Sequence, residues 1–193
     1  MAACKLNVLM WHIVDGPSFP LQLDGFEELS AKGAFCPECI YTATDVREVV
    51  EYARQRGIRV QPEVDVPGHS GWQYGRPDLV ACPALETFRG CARALDPTDD
   101  AVYDFLKTFF AAVSAVFPDP AINFCGDEVR FECWDGNPKI KAWAQAHNMS
   151  YFSLEQHFWS RMNEAGGVIP MLSAKGKTFV IGEGSTARQG SVN

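Results

Sequence analysis

Two adjacent carboxylates, Asp127 and Glu128, follow a short apolar run from Ala121 to Cys125. Other acids stand at the ends of two earlier apolar runs: Asp15 after Lys5 to Val14, and Glu63 and Asp65 at the end of Ile58 to Asp65. Carboxylates gathered on one rim can give and take protons at a polar substrate, so carboxylate-driven acid–base chemistry is the natural hypothesis. By itself, Asp127-Glu128 more often means a solvated pair at a strand end, and its meaning depends on what positions it. His12 reads as a packed, hydrogen-bonded strand residue, and His69 as a loop histidine in Pro67-Gly68-His69. Cys36-Pro37-Glu38-Cys39 has the spacing of a redox pair or half a zinc site. Cys82 and Cys91 do not supply the second zinc pair, and the motif precedes Tyr41-Thr42 in a loop instead of opening a helix after a strand. A short loop disulfide or two idle thiols is the plainer expectation. The full set of seven cysteines is odd, so one thiol stays free or pairs elsewhere.

The elements that must position these groups alternate. Lys5 to Val14 lacks period-two alternation, as expected for a parallel strand covered on both faces, and it stops at the turn Asp15-Gly16-Pro17. A helix is expected from about Thr44 to Arg56, with Val46, Val49, Val50 and Ala53 on one face and Gly57 as terminator. Ile58 to Asp65 is the second strand. After a loop rich in glycine and proline, a second helix is expected beyond a Thr98 cap, burying Val102, Phe105, Leu106, Phe109, Phe110 and Val113 and ending at Pro118. Ala121 to Cys125 is a third strand, Asn137-Pro138 opens another helix, and Ser153 with Gln156 reads as a capping box for the last. Beyond Val168 the chain is rich in Gly, Ser and Lys and reads as a frayed end. Strands alternating with amphipathic helices make a parallel α/β sheet, barrel or open, whose chemistry collects at the C-terminal strand ends.

Composition narrows the rest. The chain of 193 residues is 47% hydrophobic and 21% charged, enough for a packed core without staples. A net charge of -7 has the wrong sign for neutralising phosphates, which argues against nucleic acid and anionic membranes. No apolar run reaches the roughly 18–20 residues of a membrane span. The opening superficially resembles a signal peptide, but no small-residue cleavage site follows, so it reads as a strand without a leader. Asn148-Met149-Ser150 is a glycosylation acceptor pattern that, if used, would place the chain in a secretory compartment.

The segments Trp11-His12-Ile13-Val14-Asp15, Tyr41-Thr42 through Asp45-Val46, Pro62-Glu63-Val64-Asp65-Val66-Pro67-Gly68-His69 and Gly126-Asp127-Glu128-Val129 carry a family pattern. So do Val116-Phe117-Pro118-Asp119 and Phe131-Glu132-Cys133-Trp134. In order and spacing the chain resembles the β-N-acetylhexosaminidases of glycoside hydrolase family 20 from about Lys5 to Met162. The resemblance implies a partial TIM (β/α)8 barrel, roughly strands two to four or five with their helices, over residues 1–166, with 167–193 divergent. It implies that Glu128 is the acid/base and that Asp127 binds and polarises the substrate's own 2-acetamido group, the nucleophile of a substrate-assisted retaining glycosidase. Adjacent carboxylates suit that scheme, since they serve one side of a sugar jointly but cannot straddle it at the about 5–5.5 Å of an ordinary retaining pair. Partial burial beside a like charge would help hold Glu128 as the acid.

By the same resemblance, Asp15 and His69 form a polar relay to Glu128, with Asp65 as its support, and Cys82 pairs with Cys133. The implied partner is a glycan ending in N-acetylglucosamine or N-acetylgalactosamine, and the implied compartment is lysosomal or secreted. No cofactor or metal is implied. A homodimer or a complementary barrel fragment is the partner that would close the arc. Three readings compete: the hydrolase, a catalytically dead remnant that binds N-acetylhexosamine, and a redox or metal module on Cys36 and Cys39. The departures from the family are Met10 and Asn123 at usual histidines, Cys125 at a usual glycine and Gly16 at a usual acid. Trp11, Trp72 and Trp134 read as packing residues.

Overall fold

The structure is a computed structural model that describes residues 1–82 and 93–182. Four parallel strands lie side by side in chain order: β1 (Val8–His12), β2 (Arg59–Glu63), β3 (Ala121–Asn123) and β4 (Thr178–Val180). The register sets Met10 beside Gln61 and His12 beside Glu63, then Glu63 beside Asn123 and Asn123 beside Val180. Between β1 and β2 run α1 (Glu27–Gly33) and α2 (Ala43–Arg54), and between β2 and β3 runs α3 (Asp100–Val116). Then α4 (Phe131–Asp135), α5 (Pro138–Ala146), α6 (Tyr151–Asn163) and α7 (Val168–Ala174) lead to β4. Successive parallel strands joined through helices form an arc of a TIM barrel, with every strand's C-terminal end on one rim.

Local chemistry sets the helix ends. Thr42 caps α2: its hydroxyl accepts from the Asp45 N–H at 3.2 Å, and Asp45 accepts the Thr42 N–H at 2.7 Å. That reciprocal pair satisfies two otherwise unpartnered donors. Gly57 then takes φ 68°, a left-handed turn that glycine adopts freely. The cap of α3 is Asp99, whose carboxylate accepts from the Ala101 N–H, not the expected Thr98, whose hydroxyl is given to Asp96. Asn137 caps α5. Ser150 caps α6 and accepts from the Ser153 N–H, so the helix starts three residues before the expected Ser153 box. An upstream hydroxyl outcompeted the one inside the first turn.

The core lies between the sheet and α3. Phe109 is fully buried and meets Phe19, Phe26, Trp72, Phe105 and Phe110 at ring separations of 5.0–6.1 Å. A smaller cluster around Trp134, Cys133, Ile140 and Leu154 is tied back by the Trp134 indole N–H to the Leu95 carbonyl, 3.0 Å. Trp72 and Trp134 are thus packing residues.

Two expectations change. β1 alternates in exposure, and Met10 is 55% exposed, because helices cover only one face of the sheet. The opposite face is the one a closed barrel fills with side chains. The chain beyond Val168 is also ordered further than expected. Val168, Ile169 and Leu172 are buried on α7, and β4 pairs with β3 through Thr178 N–H to Pro120 O and Phe124 N–H to Val180 O. Three apolar residues dock this short helix in a segment that reads as polar by composition. The last residues, 183–193, lie outside the described ones. Phe109→Ala is expected to cost about 3–5 kcal/mol, whereas Phe35→Ala, at an exposed position, should leave the urea unfolding midpoint nearly unchanged.

Candidate active site

The strand ends bring Asp15, Glu63, Asp65, His69, Asp127 and Glu128 to one rim. Asp65, just past β2, is 2% exposed. Its Oδ1 accepts the Gly126 N–H at 2.9 Å, and its carbonyl accepts the Ser70 hydroxyl. One residue therefore fastens both the loop carrying His69 and the loop carrying Asp127-Glu128. Burial pushes its carboxyl up to about 8, against the Gly126 N–H, the Cys125 thiol and the Asp127 N–H, which favour the anion.

His69 adopts φ 51°, a left-handed conformation that costs a non-glycine residue some strain. In that position its Nδ1 lies 3.2 Å from Asp15 Oδ1 and its Nε2 3.6 Å from Glu128 Oε2. Glu128 itself has φ 45° and Cys125 φ 53°. The Asp127 carboxylate accepts the Glu128 N–H at 3.0 Å. Asp15, His69 and Glu128 thus form a line in which one imidazole faces a carboxylate on each side. A line of this kind can pass a proton between its ends or fix a ring so that one end works as acid or base.

The Glu128 side chain is 61% exposed, so the burial expected around it is not there. The open sheet face leaves the rim accessible from the side where a closed barrel has more strands.

His12 is hydrogen-bonded, but not packed in the core. It stands on the open face with Nδ1 2.6 Å from Glu63 Oε1. Sequence reading placed Glu63 on the rim without giving it a part. The signal for one lay in the register, since two strand-final residues paired side by side must face the same way. Cys125 carries a free thiol that burial and the Asp65 and Glu63 carboxylates push up to about 12, which leaves it protonated and a poor nucleophile.

Cys82 and Cys133 are disulfide-bonded, joining the segment that follows Val80 to α4 beside the rim. Cys36 and Cys39 are also bonded, across a 3-10 turn between α1 and α2, away from the carboxylates. Among the described residues no three His, Cys, Asp or Glu side chains gather as a metal site. Asn148 lies exposed in the turn between α5 and α6. Among the described residues no helix is long and apolar enough to cross a membrane.

Carboxylates converging at the C-terminal ends of an arc of parallel strands are laid out as barrel enzymes place their acid–base groups. The family model for the catalytic domain of glycosyl hydrolase family 20 matches residues 1–183, and the chain belongs to that family. Beta-hexosaminidase subunit beta of Homo sapiens is 50% identical over 143 residues, covering 73% of this chain and 26% of that protein. Beta-hexosaminidase subunit alpha of Rattus norvegicus is 44% identical over 162 residues, covering 82% and 31%. The chitobiase structure from Flavobacterium johnsoniae superposes with a TM-score of 0.80 at 30% identity, covering 95% of this chain and 28% of that one. The chain therefore spans about a quarter to a third of the length of these relatives.

The buried Asp65 makes stability pH-dependent. Its carboxyl in the folded state sits near 8, above the usual value of about 3.9 in the unfolded chain. Between those values the folded state binds the extra proton, so the stability that Asp65 contributes is greatest below about pH 4 and falls by up to about 1.4 kcal/mol per unit towards pH 8. Asp65→Asn keeps an acceptor for the Gly126 N–H and is expected to flatten that slope in urea unfolding followed from pH 4 to 8. An unchanged slope would assign the dependence to other groups.

Proposed function

We propose that this chain carries the acid/base part of a β-N-acetylhexosaminidase that removes terminal non-reducing N-acetylhexosamine from glycans. The observation that carries the reading is the line from Asp15 through His69 to Glu128, with the exposed Asp127 adjacent. Membership of family 20 and the hexosaminidase names of the relatives support it.

The reaction is substrate-assisted. The carbonyl oxygen of the 2-acetamido group attacks C1 while the C1–oxygen bond to the leaving group breaks. Glu128 gives its proton to that leaving oxygen, and Asp127 accepts the acetamido N–H. An oxazolinium forms. Glu128, now a carboxylate, takes a proton from water as the water oxygen bonds to C1, which reopens the ring with retained configuration. Asp15 orients His69, and His69 faces Glu128 through both steps.

Two disulfides support a secreted or lysosomal compartment, where the oxidised state persists. The exposure of Glu128 favours a second reading, in which the site binds N-acetylhexosamine without turning it over.

Hydrolysis of an aryl N-acetylglucosaminide separates the two. Glu128→Gln is expected to lower kcat by about 10²–10⁴-fold with the melt unchanged. A wild-type rate retained in Glu128→Gln would overturn its role, and sugar binding without wild-type turnover would establish the second reading.

A further inference from the structure

The relay to Glu128 begins at Asp15, yet the structure places a second imidazole on the far side of that carboxylate. His12 ends β1 and Glu63 ends β2, and the two are paired in register on the open face of the sheet. His12 Nδ1 lies 2.6 Å from Glu63 Oε1, and its Nε2 lies 3.6 Å from Asp15 Oδ2. Glu63 is itself fixed, because it is buried and its Oε2 accepts from the side-chain amide of Asn123, which ends β3. The other oxygen of Glu63 is then an acceptor for His12, whose Nδ1 must carry hydrogen to fill it.

Asp15 consequently sits between two rings. Its Oδ2 faces His12, while its Oδ1 faces His69 Nδ1 and accepts the Gly16 N–H. With only one side held, a half-exposed aspartate is free to turn about its terminal torsion, which is broad and roughly two-fold. The bonds at Oδ1 and the His12 ring 3.6 Å from Oδ2 confine it. Asp15 and Glu63 are the charged groups facing His12, and Met10 and Asn123 are the neutral side chains beside them.

We propose that His12, clamped by Glu63, is a positioning residue whose Nε2 faces Asp15 Oδ2 and so holds in place the carboxylate that orients His69 towards Glu128. The sequence alone reads His12 as a packed strand residue. It is the register of three strand ends, His12, Glu63 and Asn123, that turns it into the start of a five-member line running Glu63, His12, Asp15, His69, Glu128. The kinetic consequence of this proposal rests on the hydrolase reading, but its structural consequence does not.

The test is ¹⁵N NMR of the imidazoles in the full 193-residue chain at about pH 8, above the ordinary histidine midpoint, where a neutral ring reports which nitrogen carries hydrogen. The wild type is expected to show hydrogen on Nδ1 of His69, the nitrogen that faces Asp15. His12→Phe should convert His69 to a mixture of tautomers, Glu63→Gln, which weakens the clamp on His12, should move it the same way, and His12→Gln, whose amide can donate to Asp15, should restore the single tautomer. If His12→Phe gives no cooperative melt, Glu63→Gln and His12→Gln carry the same readout.

An unchanged His69 in His12→Phe would overturn the proposal. On the aryl substrate, kcat should fall about 10- to 100-fold in His12→Phe, with KM unchanged and most of the rate recovered in His12→Gln. Absence of wild-type turnover alongside the expected tautomer changes would sink the hydrolase reading and leave this one standing.

Discussion

The buried carboxylate of Asp65 holds the rim together. It sits at the end of β2, takes the backbone N–H of Gly126 from the neighbouring strand's loop, and through its carbonyl holds Ser70 in its own. A carboxyl group removed from water costs free energy unless it is hydrogen-bonded or protonated. This one accepts from the loop that carries the candidate acid/base, and the same residue's backbone carbonyl accepts from Ser70 in the loop that carries the candidate relay histidine. The left-handed backbones of His69, Cys125 and Glu128 lie in those same loops. Such conformations persist only where the surrounding structure over-determines them, and the bonds at Asp65 and the pairing of Phe124 with β4 supply that determination.

The open face of the sheet is the second constraint. A parallel arc with helices on one side leaves the barrel-interior positions of its strands facing outward, and these hold Met10, His12, Glu63 and Asn123. Polar residues on that face are not idle, because hydrogen bonds between neighbouring strand ends join three of them into one network. At the other end of the strands, Arg59 grips Asp119 with two bonds of 2.8 Å, and the Lys177 ammonium donates to the Phe117 and Asp119 carbonyls. The N-terminal rim thus serves cohesion and the C-terminal rim carries the acid–base groups, the division expected of a barrel.

Much of this was legible in the sequence, for physical reasons that can be named. The Val46, Val49, Val50 and Ala53 face of α2, Asn137-Pro138 and the aromatic face of α3 are local signals, and each marks its element within a few residues. Asp15, Asp65, Asp127 and Glu128 fall at strand ends because parallel topology forces them there. What the sequence hid depends on partners distant in the chain. His12 and Glu63 are 51 residues apart, and only the register makes them neighbours. The covering of β1 on one face and the docking of α7 depend on what lies opposite them, which no local pattern records. The cap at Ser150 was missed for a simpler reason: two serines three apart both fit the signal, and the earlier one won.

The central claim is that these strand ends form a site for an N-acetylhexosamine whose acetamido group cyclises against Asp127 and Glu128. A thermal melt of the chain with and without an N-acetylglucosamine thiazoline, which mimics that cyclised group, tests it directly. A ligand that binds only the folded state raises the midpoint by mass action, by about 2.7 kcal/mol of stability at a hundred times its Kd. The account predicts a cooperative melt that moves upward with the thiazoline. A cooperative melt that stays in place at saturating thiazoline would contradict it.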